Sequence, residues 1–407
     1  MPVILARPIR LDRDDELEPA WERIGLVPAA RRLLLESVGR AHLLLTGLGA
    51  AETDFLRGLE DPRLTVILSD SERRPGGATI SGTRAGLEAL ARLAERSGRV
   101  ELARALDGAM ATEVPPDPMV LGGRTFRWGE RTHLMGVVNV TPDSFSDAGK
   151  HLERAAAVRH ALALAEAGAD LVHIGGESPR PGAGEVPVQV ELDRVLPVIE
   201  AVRAQSDVPV SVDTRKAAVA REALRLGAVL VNDVSGLGHD PALATAVAEA
   251  GGALALMHIQ GTPETMQVDP RYDDVVAEVI ERLASGIERA VAAGVARERL
   301  WVDPGIGFGK TAGHNLFLLR HLGELRVLGA PVLVGPSRKR FIGVLAGGRP
   351  PDQRLPGTLA SIAAVAVLHG ADVVRVHDVG EARAALTVAD AIARAREGGD
   401  SWGPPRP

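Results

Sequence analysis

From His133 onward one pattern of apolar and polar positions keeps returning. A short β-branched run is followed by a polar or glycine-rich break. A longer stretch with apolar residues at i, i+3 and i+4 comes next and ends at glycine. The strand-like runs are "HLMGVVNV" (133–140), "DLVHIGG" (170–176), "VPVSVDT" (208–214), "AVLVNDVSG" (228–236), "ALALMHI" (253–259), "LWVDPGIG" (300–307), "PVLVGPS" (331–337) and "DVVRVHD" (372–378), eight in all. Helical segments such as "KAAVAREALRLGA" and "DDVVAEVIERLASGIERAVAAGV" separate them. Near-continuous apolar strands alternating with helices predict a parallel sheet covered on both faces. Eight such units in roughly 270 residues is the size of a (β/α)8 TIM barrel. A doubly wound open sheet is the alternative, but the even spacing favours closure. The barrel is expected over residues 121–400, with 401–407 as a disordered tail.

Residues 1–120 do not follow this rhythm. "RAHLLLTGLGA" and "RLTVILSD" read as two strands joined by a helix around "ETDFLRGL", and "GTRAGLEALARLAERSGRVELARALDGA" reads as one or two helices. A small α/β N-terminal domain of unknown role is expected, joined to the barrel by the proline-rich linker "EVPPDPMVLGG" (113–123). The "GLG" within it is a lone glycine pair and reads as a turn.

Bulk properties narrow the function. At 407 residues the chain is too long for one ordinary core. A composition of 45% hydrophobic and 25% charged residues is that of a globular protein in water. No apolar run reaches the roughly 18–20 residues of a membrane span, and the start lacks the basic segment of a signal peptide. With no cysteine, disulfides and thiolate metal sites are excluded and a cytoplasmic location is expected. A net charge of -6 and an aromatic content of 3% offer nothing to nucleic acid or to a membrane surface.

In a barrel, chemistry collects at the carboxyl ends of the strands. Here those ends carry Asn139, Glu177 with Arg180, Asp213, Asn232 with Asp233, His258 with Gln260, Asp303, Ser337 with Arg338 and Lys339, and Arg375 with His377. Any one of these could cap a helix or a turn; so complete a ring is not explained that way. Asp213, Asn232 and Asp303 offer acceptors suited to a flat heterocycle that presents N–H groups edge-on. Arg338, Lys339, Arg375 and His377 form a cationic side after strands seven and eight, where many barrels hold phosphate. Cations at a helix start oppose its dipole, a conflict that an anion resolves. No pair of histidines has zinc-ligand spacing, whereas a Mg2+ bridging phosphate and one side-chain oxygen, such as Asn139, fits.

Three loops add to this ring. "NVTPDSFSD" (139–147) opens from strand one into a polar tail, and "GGESPRPGAGEVP" (175–187) is too long for a simple turn. "DPGIGFGKTAGHN" (303–315) has glycines that let backbone approach a ligand, and Phe308 could lie on a flat ring or pack in the core.

The segments "MGVVNVTPDSFSD", "GGESPRPGA", "SVDTRK", "VNDVSG", "LMHIQGTP", "DPGIGFGKTAGHN", "GPSRKRFIG" and "RVHDV", in this order, resemble the signatures of the dihydropteroate synthase family, folate-pathway enzymes inhibited by sulfonamides. The resemblance runs from about residue 130 to the last helix, while the first 120 residues resemble an N-terminal extension of some members. It implies condensation of 6-hydroxymethyl-7,8-dihydropterin diphosphate with p-aminobenzoate, giving 7,8-dihydropteroate and pyrophosphate. Carried over by motif, Asp213, Asn232, Asp303 and Lys339 would hold the pterin, with Met257 and Phe308 around it. Asn139, Arg375 and His377 would form the diphosphate pocket, Asn139 also touching Mg2+. Phe145, Ser146, Asp147, Arg180 and Pro181 would close over the site and shape the p-aminobenzoate pocket, with Ser337 facing the same region. Lys339, Arg375, His377 and Asp213 are the expected catalytic set, in a homodimer joined through the last helices.

This chemistry needs no protein nucleophile. The reduced pterin stabilises positive charge on its methylene carbon, so a dissociative C–O cleavage is expected, with the polar tail after strand one as a lid. In one place the chain departs from the family, which usually has "GGESTRPGA": Pro179 stands for the threonine, removing a hydroxyl and a backbone donor. A folate-binding methyltransferase is the competing enzyme reading, and it would need no diphosphate pocket. A silent pterin-binding scaffold is the competing non-enzyme reading, and it would leave the ring of polar strand ends without a task.

Overall fold

The structure, a computed structural model, describes residues 5–9, 41–68, 76–110, 115–140, 147–177 and 185–395. Phe145, Ser146, Pro179, Arg180, Pro181 and the 401–407 segment lie outside the described residues. The chain divides into two compact units, residues 1–114 with 326–329, and residues 115–325 with 330–407.

In the first unit, β1 (Leu5–Ile9), β2 (Ala41–Thr46), β3 (Leu64–Leu68) and β4 (Ala78–Gly82) form an antiparallel sheet in the order β1-β2-β4-β3. Sequence pattern shows only two of these strands. Pro8 in β1 and the short, glycine-ended "ATISG" of β4 each weaken the signal of strand propensity. Helices α1 (Ala50–Arg57), α2 (Arg84–Arg96) and α3 (Val100–Met110) complete the unit. Thr83 caps α2 by accepting from the Gly86 N–H at 3.2 Å. The apolar faces of α2 and α3 (Leu87, Leu90, Leu102, Leu106) pack in one core with Leu43, Leu45 and Ile80 of the sheet.

The second unit begins with a hairpin, β5 (Met119–Leu121) and β6 (Arg124–Phe126), whose first strand lies in the stretch that reads as a linker. Eight parallel strands follow: β7 (His133–Asn139), β8 (Leu171–Gly175), β9 (Val210–Asp213), β10 (Leu230–Asp233), β11 (Ala253–Met257), β12 (Leu300–Asp303), β13 (Leu333–Val334) and β14 (Val373–Val376). Their order is β12-β11-β10-β9-β8-β7-β14-β13, and a parallel bridge from Val302 to Val332 joins the two ends. The sheet is a closed barrel. Around it run α4 (Asp147–Glu166), α5 (Val188–Gln205), α6 (Ala217–Arg225), α7 (Leu243–Glu249), α8 (Val275–Ala292), α9 (Ala312–Arg320), α10 (Arg340–Leu345), α11 (Leu355–Val367) and α12 (Val379–Arg394).

The hairpin has a structural task. Met119, Leu121, Phe126 and Trp128 pack with Leu171, Leu230, Ala253, Trp301, Leu333 and Val373, which stand at the amino-terminal ends of their strands. Trp301 is fully buried, donates its indole N–H to Met119 Sδ at 3.3 Å, and meets Trp128 edge-on at 5.4 Å. Truncating Trp301 to alanine would cost about 3–5 kcal/mol. With one mouth closed by apolar side chains, polar chemistry is left to the other.

Candidate active site

Register brings the strand-end residues to one level at the open mouth. Asn139 pairs with Gly175, Gly175 with Asp213, Asp213 with Asn232, and Met257 with Asp303. Asn232 donates its amide to Asp213 Oδ1 at 2.9 Å. The other carboxylate oxygen of Asp213 lies 3.4 Å from His173 Nε2, and His173 Nδ1 is 3.1 Å from Ser211 Oγ. Burial pushes the Asp213 carboxyl up, but His173, Arg375 and the Asn232 amide outweigh it and hold Asp213 down at about 2. Asp213 is therefore an anion at neutral pH.

Asp303 differs. Its Oδ1 accepts from the Gly305 N–H at 2.7 Å, and burial raises its carboxyl against the pull of Arg375 and Lys339. Among the described residues, Asp303 Oδ2 and Asn232 Oδ1 are buried without a hydrogen-bond partner. Two such orphaned acceptors at one barrel mouth are costly unless a donor arrives. They suit the N–H edge of a flat heterocycle.

Lys339 places its ammonium 4.0 Å from the centre of the Phe308 ring. Phe308 packs with Met257, Val234 and Met266, so it is at once core and pocket wall. Burial and then Arg375 pull Lys339 down to about 7, while Asp303 and Asp213 oppose the shift. The turn that presents Lys339 is strained. Arg338 has φ 57°, held by a bidentate pair with Asp378 at 3.0 and 2.5 Å and by its N–H on Thr358 Oγ1 at 3.0 Å. Arg338 thus shapes the turn, with its charge already paired.

Arg375 is almost buried and lies against Gly335, where a Cβ would come within 3.1 Å of its Nε and Nη2. Its charge acts on Asp213, Asp303 and Lys339 alike, so acidic and basic sides interleave more than the sequence suggests. His377 Nδ1 is 2.9 Å from Ser337 Oγ, which also accepts the His377 N–H at 3.3 Å. Burial first, then Arg338, draws His377 down to about 4.

Other strand-end residues have structural partners. Asp233 accepts from the N–H groups of Ser235 and Leu237, closing a turn. Gln260 clasps the backbone of Arg271 at both ends of its amide, at 2.8 and 3.1 Å. Glu177 is bound by Lys216 at 2.5 Å and Arg215 at 2.8 Å, and Lys216 also meets Glu191 at 2.6 Å. Asn139 ends β7 with an exposed side chain, and Asp147 is described only as the first residue of α4. Sequence reasoning missed His173 and Lys310. Period-two alternation from the interior residue Leu171 puts His173 on the barrel's inner face, which was the available signal.

Comparison with known proteins places the barrel in a family. Residues 135–377 match the model of the pterin binding enzyme family. Dihydropteroate synthase of Escherichia coli K12 is 48% identical over 265 residues, covering 65% of this chain and 93% of the relative. The Mycobacterium leprae dihydropteroate synthase is 51% identical over 264 residues, covering 63% and 92%. The Xanthomonas albilineans dihydropteroate synthase structure in complex with 7,8-dihydropteroate superposes with a TM-score of 0.61 at 46% identity, covering 69% of this chain and all of that one. The chain belongs to the dihydropteroate synthase family of pterin-binding enzymes.

Proposed function

We propose that the chain condenses 6-hydroxymethyl-7,8-dihydropterin diphosphate with p-aminobenzoate, forming 7,8-dihydropteroate and releasing pyrophosphate. The observation that carries this reading is the pair of orphaned acceptors, Asn232 Oδ1 and Asp303 Oδ2, beside the anionic Asp213. The pterin's N–H edge would satisfy them, with its ring against Phe308 and Met257 and near Lys339. Arg375, and His377 steadied by Ser337, would face the diphosphate. An anion there would draw protons onto Lys339 and His377, which burial leaves short of them.

Mg2+ fits the donor set. Magnesium commonly takes one or two protein oxygens and completes its shell with substrate phosphate and water. The exposed Asn139 amide at the mouth can be one of these oxygens, and among the described residues no cluster of three acidic or histidine ligands competes with it. When bound, the ion would offset charge on the departing diphosphate.

The chain's own part is positional. Fixed cations stabilise the leaving diphosphate, the acceptors orient the pterin, and the arylamine adds to the methylene carbon as the C–O bond breaks. Electron donation from the reduced pterin favours bond cleavage ahead of addition. Phe145, Ser146, Asp147, Arg180 and Pro181 are assigned to the p-aminobenzoate pocket and lid by motif alone. A homodimer is supported by apolar side chains left exposed on the last helices, Val344 and Leu345 of α10 and Val388 and Ile392 of α12. No described helix is long and apolar enough to cross a membrane, and the cytoplasmic assignment rests on the lack of cysteine.

The test is pyrophosphate release with the pterin diphosphate, Mg2+ and p-aminobenzoate. Wild-type turnover that collapses in Lys339→Ala and Arg375→Ala supports the reading. Methyl transfer from methyltetrahydrofolate without pyrophosphate would overturn it.

A further inference from the structure

Lys310 is buried behind Phe308 and has no task in the reaction as described. Lys310 is only 3% exposed, and its ammonium donates to the Phe308 carbonyl at 3.0 Å. The same nitrogen is 2.9 Å from His258 Nδ1 and 3.5 Å from the His258 carbonyl, and lies 6.0 Å from the centre of the Tyr272 ring. Burial first, then Lys310, holds His258 far below its ordinary range at about 2, so its Nδ1 is a neutral acceptor. Burial likewise draws Lys310 down to about 7. An apolar side chain of similar volume would fill this space without that desolvation.

The contacts of Lys310 converge on one loop. Gly305, Gly307 and Gly309 have φ of 68°, 84° and 60°, and the loop lies flat on the exit of β11. A Cβ at Gly305 would come within 1.9 Å of the His258 carbonyl oxygen, and one at Gly309 within 2.5 Å of the Gln260 carbonyl oxygen. Side chains hold the loop's backbone throughout. Asn315 accepts the Gly307 N–H at 2.7 Å, Gln267 donates to the Gly307 carbonyl at 2.9 Å, and Tyr272 donates to that of Gly309 at 2.7 Å. Phe308 is thus gripped at two ends. Lys310 holds its carbonyl, and Lys339 sits 4.0 Å from its ring.

We propose that Lys310 is a positioning residue for the pterin half of the reaction: by clamping the Phe308 carbonyl and His258 it fixes the ring against which the heterocycle and Lys339 are placed. The proposal rests on the function proposed above. It separates the two substrates, because the contacts of Lys310 among the described residues, with His258, Phe308 and Tyr272, lie on the pterin side.

Steady-state KM values for both substrates in the full chain, Lys310→Met and Lys310→Gln test it. Lys310→Met is expected to raise the pterin-diphosphate KM about tenfold, the worth of one charge-assisted hydrogen bond, with the p-aminobenzoate KM within about twofold. Lys310→Gln keeps an N–H donor and should fall between. An unchanged pterin KM, or an equal rise in both constants, would overturn the proposal, since general loosening does not choose between substrates. If Lys310→Met does not fold, Gln267→Ala decides, removing another bond to the same loop from a half-buried side chain. A selective rise of about threefold supports the clamp, and no rise or a shared one overturns it. A wild-type chain that releases no pyrophosphate overturns the proposed function instead. Pterin affinity, read in the same variants from the quenching of pterin fluorescence, then still decides the role of Lys310.

Discussion

Asn232 gives its amide hydrogen to Asp213 at 2.9 Å and keeps its own carbonyl oxygen buried without a partner among the described residues. One side chain therefore holds an anion in place and offers a fresh acceptor beside it. Asn232→Leu keeps the bulk but removes both functions. The expected loss is about 2–3 kcal/mol of pterin binding in the transition state, or roughly 30- to 150-fold in kcat/KM for the pterin diphosphate. The p-aminobenzoate KM should stay put. Titration calorimetry with a pterin ligand checks the same point without turnover, and undiminished affinity would remove Asn232 from the pterin pocket.

Gly335 follows β13, and its backbone is outside the left-handed region, so alanine is tolerated there by conformation. What it lacks is room. The new methyl would press within 3.1 Å of Arg375 Nε and Nη2. Gly335→Ala is expected to displace the guanidinium and lower kcat/KM about tenfold or more, because small misplacements of a charge-stabilising group are expensive in catalysis. Inhibition by inorganic pyrophosphate should weaken in parallel, while the urea midpoint moves little. Unaltered pyrophosphate inhibition would place Arg375 away from the diphosphate.

The open mouth was legible because a parallel barrel turns residue order into position. Whatever follows each apolar run stands at the same end, as Asn139, Asp213, Asn232 and Asp303 do. Pairing was not legible. Nothing in "SRKR" shows that Arg338 is neutralised by Asp378, 40 residues on, while Lys339 next to it has no ion pair among the described residues and reaches Phe308. Lys310 was hidden for the same reason, since its partners His258 and Phe308 come together only through the glycine loop. The first strand of the hairpin, Met119–Leu121, reads as linker because three residues are fewer than the window in which alternation shows. Its partner Trp301 is 182 residues away.

Pro179 offers a test that needs no geometry. Replacing the threonine usual in the family, it removes a hydroxyl and an N–H and narrows the backbone of the loop bearing Arg180. Pro179→Thr is expected to change the p-aminobenzoate KM and sulfonamide inhibition by a few-fold, with the pterin KM untouched. Steady-state kinetics with each substrate varied in turn measures both. An unchanged amine constant would separate position 179 from the amine pocket.

Lys310 and Lys339 make stability depend on pH in a definite direction. Lys310 and Lys339 both lie at about 7 rather than their ordinary 10.5, burial being the larger cause. Between those limits the unfolded chain holds protons that the folded chain has released, so stability rises with pH. Below 7 both states are protonated and the penalty is constant. Above 10 Tyr272 works the other way: burial pushes its phenol well above the ordinary range, so the folded chain keeps a proton that the unfolded chain gives up. The urea midpoint of the substrate-free chain is therefore expected to climb from pH 7 to about pH 10 and to turn over only above that. Lys310→Met should flatten the climb, having one amine fewer to discharge. Pyrophosphate should flatten it too, because a bound anion restores the lysine protons in the folded state. A midpoint that is level or falling over this range in the wild-type chain would mean that neither amine is buried as Lys310 and Lys339 are here.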